Sequence, residues 1–63
     1  MIKVSTLLGA EFVLNCEHIE KIEQIPDTVI TLVNGKKYLV KEDSDEIIRR
    51  VIEYKNKIFN LKV

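Results

Sequence analysis

Cys16 and His18 stand two residues apart and are the chain's single cysteine and single histidine. A thiol beside an imidazole is the pairing from which an activated nucleophile is made, because the imidazole removes the proton that masks the sulfur. The same chemistry needs a third group to orient the imidazole, donors for a developing oxyanion and a pocket for the substrate. The 63 residues include two glycines, no glycine-rich loop and little chain from which to build a cleft. As metal ligands, one thiol and one imidazole fall short of the roughly four that a structural zinc takes. The simpler reading is a small buried thiol next to a surface imidazole. The chain is therefore expected to be no enzyme and to hold neither cofactor nor metal.

Charge supplies the other candidates. Lys36, Lys37, Lys41, Arg49 and Arg50 are the best candidates for a basic patch, with Tyr38 among the lysines in sequence. An aromatic between lysines can stack on an exposed base. Ten basic and ten acidic residues cancel, however, and phosphate binding normally draws on a basic excess. Nucleic acid is the disfavoured partner. Lys36, Lys37, Tyr38, Arg49, Arg50 and Lys55 stand instead as the candidate surface for a protein partner or a second subunit. Glu17, Glu20 and Glu23, spaced by three, read as a solvated acidic edge that discourages strand-to-strand aggregation. Two lysines against five carboxylates give residues 1–33 a net charge of −3, and eight basic against five acidic residues give 34–63 a net charge of +3. A domain with one acidic and one basic side suits a charged partner or head-to-tail association.

The elements that must position these residues follow from periodicity. Residues 2–8 alternate, with Ile2, Val4 and Thr6 on one side and Lys3, Ser5 and Leu7 on the other. A second strand over 11–15 puts Phe12 and Leu14 on one face, and the pair reads as a hairpin closed around Leu8-Gly9-Ala10. Ile19, Ile22 and Ile25 recur every three residues, which fits neither strand nor helix cleanly. The favoured reading is a short turn near Asn15–His18 and a strand over 19–25, ended by Pro26-Asp27. The β-branched run 28–33, then Asn34-Gly35, then 36–40 is the strongest hairpin signal in the chain. A two-residue loop there sets Val33 opposite Lys36, Thr31 opposite Tyr38 and Val29 opposite Val40, and makes both sheet faces apolar. One face would pack on a helix and the other on a second layer or subunit.

A C-terminal helix is expected over roughly 44–60, capped by Asp43 or Ser44. Ile47, Ile48, Val51, Ile52, Ile58 and Phe59 give it one broad apolar face. Lys55 falls within that face; the simpler reading is a stem that packs while its ammonium reaches water, and the sharper one puts it at the seam between two apolar strips, one for the sheet and one for a second subunit. The expected fold class is thus α+β: a small antiparallel sheet of four to five strands, made of two β-hairpins, followed by one amphipathic helix, all in a single domain over 1–63. A core this thin usually needs a staple, and one cysteine leaves oligomerisation as the available one. No basic-then-apolar leader opens the chain, and no apolar run approaches the roughly 20 residues of a membrane span. Both point to a cytoplasmic protein.

Several stretches carry a resemblance. They are Met1-Ile2-Lys3-Val4, Gly9-x-Glu11-Phe12-Val13-Leu14-Asn15 and Ile19-Glu20-x-Ile22-Glu23, then the most specific run, Pro26-Asp27-Thr28-Val29-Ile30-Thr31-Leu32-x-Asn34-Gly35-Lys36-Lys37-Tyr38. With Val40-Lys41-Glu42 and Val51-Ile52-Glu53-Tyr54-Lys55, they resemble the flagellar FlbD family over about residues 1–58. The resemblance implies a small cytoplasmic protein that supports flagellar motor power in swarming by binding a motor or stator component. The family brings no catalytic residues to carry over. The alternative is a small RNA-binding regulator similar in layout to the carbon-storage regulator family, disfavoured by the neutral charge and the acidic Glu17–Glu23 segment.

Overall fold

The computed structural model describes the backbone of residues 1–61 and the side chains of residues 1–58. Its strands are β1 (Ile2–Ser5), β2 (Glu11–Leu14), β3 (Ile19–Gln24), β4 (Thr28–Leu32) and β5 (Lys37–Val40), and its one α-helix is α1 (Ser44–Leu61). A 3-10 turn over Cys16–His18 separates β2 from β3. Asn15 starts that turn, its carboxamide oxygen accepting the Glu17 N–H at 3.0 Å. The class is α+β, as the periodicity implied, and all strand pairs are antiparallel. The strands form two sheets, however, β1-β2 and β3-β4-β5, and not one. The turn at Cys16–His18 carries the chain from one sheet to the other. The Lys41 N–H bonds the Ser5 carbonyl at 2.8 Å, so the sheets touch where β5 runs out beside β1.

Both outer hairpins use the same loop, and it differs from the expected one in each case. Thr6 and Ala10 close the first, with Gly9 N–H to Thr6 O at 2.9 Å and Thr6 N–H to Ala10 O at 2.8 Å. Leu32 and Lys36 close the other in the same pattern, Gly35 N–H to Leu32 O and Leu32 N–H to Lys36 O. The loops are therefore three residues, Leu7-Leu8-Gly9 and Val33-Asn34-Gly35, each with glycine third at positive φ, +95° and +91°. This is the turn-plus-bulge hairpin, which needs only one left-handed residue. Asn34 uses its side chain to accept the Lys36 N–H at 3.0 Å and has no positive φ. Strand β1 consequently stops at Ser5, and Leu7 and Leu8 stand in a turn.

The added loop residue moves the β4–β5 pairing by one: Ile30 faces Tyr38, Thr31 faces Lys37 and Thr28 faces Val40. A one-residue slip exchanges faces. The inner face is now Thr28, Ile30, Leu32, Tyr38 and Val40, while Val29, Lys37 and Leu39 lie on the other face with Thr31, which is buried there between Lys21 and Lys37. The outer face is mixed rather than apolar, since Lys21 and Glu23 of β3 pair with Thr31 and Val29 there. A register shift between Ile19 and Lys21 explains the three-residue spacing of β3. One extra residue lets Ile19 and Ile22 share the inward face despite their odd separation. Ile25 lies beyond the strand and is exposed.

The buried cluster joins Ile2, Val4, Leu14 and Cys16 from the first half with Ile30, Leu32 and Val40 from the second sheet and Ile47 from the helix. Phe12 and Tyr38 bridge the two sheets with ring centroids 5.4 Å apart. Helix α1 packs on β1 and β3. Asp43 is its cap, with Oδ1 accepting the Glu46 N–H at 2.8 Å, and the Ser44 N–H donates to Gln24 Oε1 at 2.8 Å. The inward stripe is Ile47, Val51, Tyr54 and Ile58, whereas Ile48 and Ile52 are half exposed. The expected side chain of Phe59 lies outside the described residues.

Arg50 ties the helix to β1. It donates to the Lys3 carbonyl at 2.7 Å, to Glu42 Oε2 at 3.2 Å and to Glu46 Oε2 at 2.7 Å. Glu42 in turn accepts the Ser5 N–H at 2.9 Å. Burial works against the Glu42 charge, but the Ser5 N–H and the Arg50 guanidinium outweigh it and leave the carboxyl below its ordinary value. Hydrogen bonds from Arg49 and then Arg50 pull Glu46 from 4.5 to about 2. Groups held below their ordinary value stabilise the fold above that value and lose the contribution as pH falls.

Three measurements check this description. Thermal stability at low salt should decline as pH drops from about 4.5 toward 2, and Glu46→Gln should flatten the decline. Gly35→Ala and Gly9→Ala should each cost about 1 kcal/mol in chemical denaturation, because the added methyl meets nothing within 4 Å and only the backbone conformation is penalised. Ile47→Ala, at a fully buried position, should cost about 2–5 kcal/mol and threaten folding of so small a domain.

Candidate functional site

Cys16 and His18 do not form a dyad site. Cys16 is in the core, its sulfur 3.9 Å from the N-terminal amino group, while His18 is exposed and bonds through its backbone, its carbonyl accepting the Val33 N–H at 2.8 Å. Within the 3-10 turn one side chain is buried and the other is in solvent. Among the described residues, no three His, Cys, Asp or Glu side chains converge as metal ligands would.

The six candidate surface residues fall in three places. Lys36 and Lys37 are exposed at and beside the β4–β5 loop, and Tyr38 packs inward against Phe12. Arg49 and Arg50 are engaged within the helix: Arg49 bridges Glu46 and Glu53, the latter at 2.8 Å, and Arg50 is committed to β1 as described. These contacts raise the pKa of both guanidinium groups above the ordinary arginine value, with the hydrogen bond each donates to Glu46 the main cause. Their charge is largely answered on the spot, so the helix start presents a mixed rather than a basic surface. Lys55 lies apart, on the next turns of the helix.

Lys55 lines a groove of ≈ 240 Å³ between β3 and α1, together with Cys16, Ile19, Ile22, Ile48, Val51 and Ile52. The bulge in β3 turns Ile19 and Ile22 toward it, and the outer strip of the helix forms its far wall. Ile48 and Ile52 keep 47% and 54% of their surface exposed there. Periodicity suggested a second apolar strip on the helix, but the two isoleucines of β3 were missed as its neighbours. Their spacing of three was the available signal of a bulge. A second apolar feature is the first hairpin tip, where Leu8 is 98% exposed and Leu7 half exposed. Two leucines directly before a turn glycine were the signal in that case.

Among the described residues, the arrangement offers surfaces for contact and brings no acid, base and nucleophile together. No helix of the described residues is long and apolar enough to cross a membrane. A family model described as flagellar and swarming motility proteins, FlbD, matches residues 1–59. No curated protein and no solved structure matches the chain. The match spans both sheets and nearly all of the helix, and the chain belongs to the FlbD family of flagellar and swarming motility proteins.

Proposed function

We propose that the protein acts without catalysis, from the cytoplasm, as a flagellar accessory that supports motor power during swarming by binding a motor or stator component. The observation that carries this reading is the family match over residues 1–59. The surface supports a binding role. Leu8 stands fully in solvent at the tip of β1–β2, although the same loop in β4–β5 has Asn34 at the equivalent position. The turn itself makes no demand for leucine, and an exposed apolar tip is suited to insertion into a partner. Lys36 and Lys37 offer a second, charged contact at the other loop.

A clean deletion strain should swarm more slowly and deliver less torque per motor in tethered-cell rotation, with filaments still assembled. Wild-type protein should restore both. Leu8→Asp should fold normally by circular dichroism, since the side chain has no neighbours to lose, and should fail to restore torque. Full torque and swarming in the deletion strain would remove the proposal.

A further inference from the structure

The outer strip of α1 has a symmetry of its own. Asp45, Ile48, Ile52 and Lys55 are separated by steps of three, four and three, which lines them up along one side of a helix. The order of steps reads the same from either end, while the charges at the two ends are opposite. All four side chains are exposed, and among the described residues neither Asp45 nor Lys55 takes part in an ion pair. The strip borders the groove of Cys16, Ile19 and Ile22.

We infer that this strip is the contact for a second copy of the same chain, the two helices running antiparallel about a twofold axis between Ile48 and Ile52. In that arrangement Ile48 meets the partner's Ile52, and Ile52 meets the partner's Ile48. Asp45 meets the partner's Lys55 at one end, and the same pair recurs at the other, as an isologous contact requires. A parallel pairing would set Asp45 on the partner's Asp45 and Lys55 on the partner's Lys55, so charge selects the antiparallel one. Ile19 and Ile22 widen the apolar area beyond the helix, giving each groove something to receive. Burying half-exposed isoleucines also adds to a core that is thin for a 63-residue chain. The inference rests on helix geometry and holds whether or not the motor reading does.

Sedimentation equilibrium on the full chain, with circular dichroism as the check of folding, tests it by charge reversal. Wild type should sediment as a dimer, at twice the 7.3 kDa chain mass. Asp45→Lys and Lys55→Asp should each raise the dimer dissociation constant by about tenfold or more, because each turns two attractive pairs into repulsive ones. Asp45→Lys combined with Lys55→Asp rebuilds both pairs and should return the constant to within about threefold of wild type. Ile52→Glu, at an exposed position, should give a folded monomer. A monomeric wild type overturns the inference. So does a dimer indifferent to the single reversals, or a double variant as weak as the singles.

Discussion

Two sheets that share no strand are held together by one layer of buried side chains, and every other feature answers to that layer. Four of its members come from the first hairpin and the turn after it, three from the second sheet and one from the helix. Burial of each such side chain contributes about 1.5–3 kcal/mol, against an ordering cost spread over the whole chain. The layer therefore tolerates no misplacement of its neighbours. The bulge in β3 aims Ile19 and Ile22 at it. The three-residue loop after β4 puts Ile30 and Leu32 on the same side as Tyr38 and Val40. Ile47 closes it from above.

The helix could cover this layer in several orientations by apolar contact alone. Directional bonds select one. Asp43 caps the first turn, Gln24 holds the Ser44 N–H, and Arg50 reaches across to the Lys3 carbonyl while gripping Glu42 and Glu46. The two carboxylates keep the guanidinium in place, and Glu42 also caps the Ser5 N–H at the end of β1. Arg50, which looked like a partner-binding cation in the sequence, thus serves to register the helix, while Arg49 pairs along the helix with Glu46 and Glu53. Exposed ion pairs contribute little individually, but a shared arginine with three acceptors fixes an angle.

Much of this was legible in the residues. Alternation over 2–8 and 11–15 marked the first pair of strands with the right faces though both ran past the observed ends at Ser5 and Leu14, the turn near Asn15–His18 was placed, and the helix was set to within a residue at either end. The mistaken register has one physical root, loop geometry. Asn34-Gly35 is compatible with a two-residue loop or with the last two positions of a three-residue one, and the choice reverses which side of β4 is inside. What decides is the side-chain cluster: Ile30, Leu32 and Val40 are buried together in the core with Tyr38 packed against them, and local sequence cannot weigh that. The same limit hid the groove, whose walls are far apart in the chain. The family resemblance, carried by the run from Pro26 to Tyr38, was legible because it depends on order and not on packing.

The duplicated loop has an evolutionary corollary. Both turns are built by a glycine in third place and by the same two backbone bonds, so the first two loop positions are only lightly constrained by the fold. Val33-Asn34 and Leu7-Leu8 occupy the same backbone, the one aided by the Asn34 side chain accepting the Lys36 N–H and the other by the Thr6 hydroxyl accepting the Ala10 N–H. A scaffold with such positions can change what it presents at either end without renegotiating its core, and the two hairpin tips are where a domain of this size can afford to diversify.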